Sequence, residues 1–416
     1  FLSKRQRMTS LLLVALATTP NGATPMPHSW DTVADVMGMH GKFSTKEPIV
    51  EVQKGLAWAA THYAQVTTGT GCGGFVNTSF TIEDAVRTGQ KAARKANPKA
   101  RLGMYWRTDF ALELKECSDF SAEWNAHPEW VLKQDDGTPT VKNYIDYSQQ
   151  PAADFFAKVM LSTLADGTLD YIYMDGPGTT ADLHFPGVSP TRGAAVIEAK
   201  HAMIAGIQAK LDAIGKGQNL ILNGVDNVEA AEEFRATGAA GVMFDHWSVL
   251  QFVIRGPPTN PDLGEFNATE MDEAFQLVTN EDFANMTLQV KGWPGPIVHQ
   301  PGQYPPNIPS PTTPAEKATV AAQRFNNELA LFLLVADDLD YWIYSWFWGF
   351  YDYIPGDATS TVPAEFFPEA KCKLGAPAGP YTRVGATWTY TRKFAHASVF
   401  VDLKNRTAGK VTFDSC

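Results

Sequence analysis

Short apolar runs without strict alternation recur along the chain, and segments with helical spacing of apolar residues separate them. Runs of this kind are typical of strands buried on both faces, as in a parallel sheet. The pattern predicts strands at residues 34–40, 63–68, 101–108, 169–175, 219–223, 241–245, 287–293 and 340–346. Helices are predicted at residues 47–62, 81–96, 152–164, 193–214, 228–236, 270–280 and 315–336.

Eight strands, each followed by a helix or an insertion, predict an α/β fold of the (β/α)8 TIM-barrel type over residues 24–360. The alternative is an open, doubly wound sheet. Against it, no G-x-G-x-x-G follows the first strand and the chain has no P-loop. Beyond the barrel the pattern changes to short alternating pieces, which predict a small C-terminal antiparallel β domain at residues 361–416.

The N-terminal residues 1–23 have the pattern of a secretory signal. Basic residues precede an apolar run at 11–17, which ends in a small-x-small cleavage pattern. The run is too short to span a bilayer, so we expect no membrane span after signal removal. The alternative is an ordinary N-terminal strand.

Cysteines and glycosylation motifs agree with secretion. The four cysteines lack C-x-x-C spacing, which favours two disulfides over a zinc site. We expect the pairs Cys72–Cys117 and Cys372–Cys416, because each falls within one predicted region, although other pairings stay open. Sequons occur at Asn77, Asn267, Asn285 and Asn405. These features predict a secreted or extracellular glycoprotein, with a vacuolar or lysosomal location as the alternative.

Composition narrows the classes of partner. The chain is 44% hydrophobic, as expected for a globular protein with a large core. Its net charge of −11 argues against nucleic acid or an anionic membrane as the main partner. Aromatic residues are plentiful, and they serve barrel cores and sugar-binding sites alike.

Active sites of such barrels form at the C-terminal ends of the strands. The polar and aromatic residues at the predicted strand ends are therefore the candidates for a site. They are His40, Trp106, Arg107, Asp109, Asp175, Asn223, Asp245, His246, Trp247, Trp293, Tyr344 and Trp346. In a sugar site, carboxylates do the acid, base or nucleophile work, hydrogen-bonding groups bind hydroxyls, and aromatic rings stack on sugar faces.

Asp175 and Asp245 are the candidate catalytic residues, and the others are candidate substrate-binding residues. Both aspartates end a buried strand, and two carboxylates at one end of a sheet are what glycoside hydrolysis uses. Each has a structural alternative: a turn or helix-capping role for Asp175, and an ion pair with a barrel arginine for Asp245. For Asp109, a salt bridge with Arg107 is the alternative to a substrate contact.

Other chemistries lack their sequence motifs. The chain has no H-x-H after the first strand and no H-E-x-x-H, so no metal site is expected. It also has no G-x-S-x-G of serine hydrolases and no dinucleotide fingerprint. We therefore expect no metal and no organic cofactor.

Residues 171–176 (YIYMDG), 244–247 (FDHW) and several short runs between 374 and 402 resemble putative glycoside hydrolase (β/α)8-barrel families. More distantly, they are similar to the α-galactosidase clan. In that clan the strand-four aspartate is the nucleophile and the strand-six aspartate the acid/base, so the resemblance implies these roles for Asp175 and Asp245, with retention of configuration. Tyr173 stands where the clan has a lysine, and Pro177 where it commonly has a cysteine.

The expected function is hydrolysis of glycosidic bonds in an oligo- or polysaccharide by a pair of aspartates. Carbohydrate is the expected partner. One alternative is a carbohydrate-binding barrel without catalytic activity. Another is a polysaccharide lyase or deacetylase, for which His40 and His246 are candidate groups.

Overall fold

The computed structural model describes most of the predicted barrel and the whole of the C-terminal sheet. The described residues are 26–38, 49–69, 81–180, 185–225, 228–245, 247, 267–280, 283, 286–294, 313–345, 367–405 and 408–416.

The predicted strands and helices are present in the predicted order, with ends that differ by a few residues. The strands are β1 Val36–Gly38, β2 Gln65–Thr68, β3 Arg101–Arg107, β4 Tyr171–Asp175, β5 Asn219–Asn223, β6 Gly241–Phe244, β7 Thr287–Gly292 and β8 Asp340–Tyr344. The helices are α1 Ile49–His62, α2 Ile82–Ala96, α3 Leu112–Glu116, α4 Ser121–Asn125, α5 Gln150–Leu164, α6 Pro190–Ile214, α7 Val228–Ala236, α8 Ala268–Val278 and α9 Pro314–Val335. The short helices α3 and α4 lie in the predicted insertion and were not predicted.

Strands β1 to β8 form one curled parallel sheet in chain order. The chain just before β1 contacts the last strand, β8. The backbone amide of Trp342 on β8 donates to the carbonyl oxygen of Ala34 at 2.8 Å. Asp35 and Trp342 also form a parallel bridge. Inside the curl, the side chain of Gln289 on β7 donates to that of Gln65 on β2 at 2.7 Å. Since these two strands are not neighbours in the sheet, the bond crosses its concave side.

Side chains alternate between the two faces of this sheet, as strand geometry requires. The concave face of the sheet carries a small apolar cluster to which strands on opposite sides of the curl contribute. Its members include Tyr105, Tyr173 and Met243. The intervening residues, such as Trp106 and Met174, pack in a larger apolar core with the helices. Inward positions therefore recur every second residue, and the last one on each strand lies at the carboxyl rim.

The C-terminal part forms a second sheet, as predicted. Strands β9 Thr382–Arg383, β10 Thr389–Lys393, β11 Ala397–Asp402 and β12 Lys410–Phe413 are antiparallel, in the order β12-β11-β10-β9. Arg392 on β10 anchors this sheet, because its guanidinium donates to the carbonyl oxygens of Leu333, Leu334 and Ala336 at the end of α9.

One of the two predicted disulfides and the asparagines of two of the four sequons lie within the described residues. Cys372 and Cys416 form a disulfide, as predicted. Cys72, the predicted partner of Cys117, lies outside the described residues, as do the sequons at Asn77 and Asn285. Within the described part of the chain, no helix combines the length and the apolar character needed to cross a bilayer.

Candidate active site

Strand register brings five charged or amide side chains to one layer at the carboxyl rim. Arg107 pairs with Asp175 across β3 and β4, and Asn223 ends β5. Phe244 pairs with Val290, so the next residues, Asp245 and Lys291, lie side by side. All five follow the two-residue alternation of the inward face. Among the predicted site residues, the structure thus brings Arg107, Asp175, Asn223 and Asp245 together.

Donors from both neighbouring strands hold the carboxylate of Asp175. The hydroxyl of Tyr105 donates to its Oδ2 at 2.6 Å, and the amide of Asn223 donates to its Oδ1 at 2.8 Å. Arg107 Nη1 lies 3.9 Å from Oδ2. Accepting on both oxygens beside a cation is what an ionised carboxylate does. The side chain is 20% exposed, so a substrate can reach it.

Asp245 lies in a different environment. It is only 9% exposed, and burial raises its pKa well above the ordinary value. The negative charge of Asp175 raises this pKa further, whereas a hydrogen bond with Asn223 and the charge of Lys291 lower it by less. The indole of Trp293 donates to the backbone carbonyl of Asp245 at 2.8 Å. The environment of Asp245 therefore favours its protonated form.

Asn223 connects the two carboxyl groups. It donates to Asp175 and also hydrogen-bonds to the side chain of Asp245. One carboxylate surrounded by donors therefore lies beside one buried carboxyl group whose pKa is raised. Such a pair supplies a nucleophile or base and a proton donor within one site.

The turn after Asp175 is held from several sides. The amide and hydroxyl of Thr108 donate to the carbonyl oxygen of Asp175 at 2.8 and 2.7 Å. Gly176 has φ +68°, and a Cβ there would lie 2.9 Å from Cγ of Asp109. Lys200 Nζ donates to the carbonyl oxygen of Gly176 at 2.8 Å. Only glycine meets both the backbone conformation and the space at this position.

Arg107 and Asp109 form the salt bridge that the sequence left as one alternative. Nε and Nη2 of Arg107 donate to the two carboxylate oxygens of Asp109 at 2.9 and 3.1 Å. The guanidinium also lies 4.0 Å from the ring centre of Phe110. This two-point pairing fixes the orientation of Arg107 and leaves Nη1 directed towards Asp175.

The aromatic candidates differ in their placement. Three of them lie in the large apolar core: Trp106, Trp247 and Tyr344. Trp106 and Tyr344 are one position out of phase with the inward residues, so they face the helices, and Tyr344 donates to the carbonyl oxygen of Ala321 on α9. Trp293 is 3% exposed and contacts the backbone of Asp245. His40, His246 and Trp346 lie outside the described residues.

Sequence reasoning missed Tyr105, Lys200 and Lys291. Tyr105 precedes Arg107 by two residues, so strand alternation could have found it. Lys291 is a lysine within a buried strand. Lys200 falls on the apolar face of α6, four residues after Val196 and four before Ile204. A lysine at a buried position is unusual unless it is paired, and that was the available signal.

Metal ligands do not gather in the described part of the chain. It holds no group of three or more His, Cys, Asp or Glu side chains that could bind a metal ion.

Comparison with known proteins supports the fold. No family model matches the chain, and no curated protein matches it in sequence. Its structure is similar to a noncanonic maltogenic α-amylase from Thermotoga neapolitana, with a TM-score of 0.51 and 12% identity over 90% of this chain and 86% of that chain. This likeness shows a shared fold and agrees with the distant resemblance to glycoside hydrolases.

Two α-galactosidases are also similar. The enzyme from Geobacillus stearothermophilus has a TM-score of 0.45 and 10% identity over 90% of this chain and 48% of that chain. The enzyme from Lactobacillus brevis has a TM-score of 0.40 and 10% identity over 91% of this chain and 46% of that chain. The chain thus spans about half the length of these α-galactosidases.

Proposed function

We propose that the protein is a glycoside hydrolase in which Asp175 and Asp245 are the catalytic pair. The observation that supports this most directly is their shared hydrogen bonding through Asn223, combined with opposite environments. The donors around Asp175 suit a nucleophile, and the buried carboxyl group of Asp245 suits a proton donor. The likeness to an amylase fold is consistent with this chemistry.

The proposed reaction proceeds in two steps. In the first, a carboxylate oxygen of Asp175 bonds to the anomeric carbon while Asp245 protonates the departing glycosidic oxygen. In the second, the now ionised Asp245 takes a proton from water, the water oxygen bonds to the anomeric carbon, and Asp175 departs as a carboxylate. Two displacements retain the configuration, as the resemblance to the α-galactosidase clan implies.

Other rim residues have supporting roles in this proposal. Tyr105 and Asn223 orient the two oxygens of Asp175. Arg107, oriented by Asp109, presents Nη1 beside the nucleophile, where it can donate to a sugar hydroxyl. Carbohydrate is accordingly the proposed substrate class.

Two further features, closure of the barrel and secretion, have support from the structure. We propose that the curled sheet is a closed (β/α)8 barrel, supported by the Asp35–Trp342 bridge between its first and last strands. We also propose that the protein is secreted, which the Cys372–Cys416 disulfide supports. Secretion from a eukaryotic host, with a mass loss on enzymatic removal of N-linked glycans, tests the second proposal.

Hydrolysis assays test the catalytic pair. Wild type, Asp175→Asn and Asp245→Asn are compared on aryl α- and β-glycosides and on algal, fungal and plant polysaccharides. Asp154→Asn, an exposed change on α5, is the control. We expect activity in wild type and the control, background activity in Asp175→Asn, and a loss of about 10²–10⁴-fold in Asp245→Asn.

Each other result has a defined meaning. Activity that persists in Asp175→Asn contradicts the nucleophile assignment. Inversion at the anomeric carbon, followed by NMR of the first product, contradicts the two-step reaction. A wild type that binds a glycan without hydrolysing it supports the non-catalytic alternative.

A further inference from the structure

Lys200 is a buried lysine outside the barrel interior that reaches the candidate active site. It is on α6, only 1% exposed, and its Nζ donates to the carbonyl oxygen of Gly176 at 2.8 Å. The ring centre of Tyr147 lies 5.5 Å from Nζ. Burying an ammonium group is costly, so the position of Lys200 calls for a compensating partner.

The partners of its charge are the carboxylates of the site. Asp109 and Asp175 are the groups that interact favourably with the positive charge of Lys200. Asp109 is already held by two hydrogen bonds from Arg107, so those two charges offset each other. Arg107 Nη1 lies 3.9 Å from Asp175 Oδ2, and Lys200 adds a second, buried positive charge that interacts with Asp175.

Lys200 also completes the turn that carries Asp175. Thr108 holds the carbonyl of Asp175, and Lys200 holds the next carbonyl along the chain. The helix and the strand end are thereby fixed to each other at the residue that follows the proposed nucleophile.

We infer that Lys200 is a positioning residue for Asp175, which fixes the turn at Gly176 and supplies a buried positive charge that favours the departure of Asp175 from the glycosyl-enzyme. This inference rests on the proposed function. Asp175 is anionic before attack, neutral while its oxygen is bonded to the anomeric carbon, and anionic again after water displaces it. A nearby cation stabilises the anionic states, so its removal slows the second step more than the first.

The kinetic test compares Lys200→Met with Lys210→Met, an exposed change on the same helix. The substrate is the dinitrophenyl glycoside of whichever sugar wild type releases fastest, because a good leaving group makes the second step limiting. For Lys200→Met we expect kcat to fall about 10-fold and KM to fall with it, so that kcat/KM changes by less than about 3-fold. A burst of dinitrophenol should precede the slow steady state. Lys210→Met should match wild type.

Equal losses in kcat and kcat/KM without a burst would show a structural defect only and overturn the inference. The proposed function would still stand in that case, since it depends on Asp175→Asn and Asp245→Asn.

A second measurement needs no substrate. Urea unfolding midpoints of wild type, Lys200→Met, Asp175→Asn and the double variant form a double-mutant cycle. We expect Asp175→Asn to lower the midpoint more in the wild-type background than in the Lys200→Met background. Only in the wild-type background does the substitution remove an attraction between the charges of Lys200 and Asp175. In the Lys210→Met background it should act as in wild type. Additive effects of Lys200→Met and Asp175→Asn would refute the charge coupling, whether or not any glycoside is hydrolysed.

Discussion

Lys200 makes the stability of the folded chain depend on pH in a way that a single substitution isolates. Burial lowers its pKa from 10.5 to about 8, against the charges of Asp109 and Asp175, which raise it. Below pH 8 the side chain is charged in both folded and unfolded chains, so folding bears the full cost of burying the ammonium group. Between pH 8 and 10.5 the side chain of Lys200 is mostly neutral in the folded chain and still charged in the unfolded chain. The free-energy cost of burying its ammonium group therefore decreases as the pH rises.

The magnitude follows from the two pKa values. Their difference corresponds to about 3 kcal/mol of unfolding free energy, since one pKa unit is worth about 1.4 kcal/mol. Nearly all of this cost is present at pH 7, and about 1 kcal/mol remains at pH 10. Lys200→Met removes the titrating group and also leaves the Gly176 carbonyl without this donor, a loss of about 1 kcal/mol that does not vary with pH. Relative to Lys200→Met, wild type should therefore gain about 2 kcal/mol between pH 7 and pH 10.

Urea unfolding of wild type and Lys200→Met at pH 7 and pH 10 measures this gain. Other titrating groups are common to both proteins, so their effects cancel in the difference. Lys210→Met, which removes an exposed lysine from the same helix, should differ from wild type by the same amount at both pH values. The quantity compared is the unfolding free energy of wild type minus that of Lys200→Met. A difference that is the same at pH 7 and pH 10, or that is smaller at pH 10, would refute the reasoning.

Three further changes test the rim of the site. Gly176→Ala places a Cβ 2.9 Å from Asp109 in a left-handed conformation. It should cost about 1–3 kcal/mol in urea unfolding and lower kcat/KM as Asp175 shifts. Tyr105→Phe removes the 2.6 Å hydrogen bond to Asp175. It should lower kcat/KM about 10-fold at an unchanged circular dichroism spectrum. Lys291→Met removes a charge that lowers the pKa of Asp245, so the alkaline limb of the kcat/KM profile should move to higher pH; a shift to lower pH would contradict the acid role.

The sequence predicted the strands well because each buried strand ends at a distinct boundary. The run before Asp175 stops at a carboxylate and three residues that disfavour a strand, and the structure ends β4 at Asp175. The same signal placed Asp245 directly after β6. Hydrophobic pattern and turn residues act locally, so they were sufficient for element order and for the two carboxylates.

The sequence did not predict which aromatic residues face the site. Trp106 and Arg107 are adjacent, and the phase of the strand sends one into the core and the other to the rim. Residues 102–106 are all buried and lack polar–apolar alternation, so the strand by itself does not mark which of its faces is inward. Lys200 was missed for a related reason, because its contact with Gly176 joins a helix to a turn 24 positions earlier in the chain.

The different environments of Asp175 and Asp245 come from their neighbours. Asp175 is the last residue of β4, where β3 and β5 provide a hydroxyl, a guanidinium and an amide. Asp245 follows β6, where Trp293 contacts its backbone and burial outweighs the charge of Lys291. Both side chains are aspartates on the same inward face, so the chemical difference between them arises from strand order. A chain without Asn223 and Tyr105 on the strands flanking Asp175 would lose the donors that orient its two oxygens, whereas the burial that raises the pKa of Asp245 would remain.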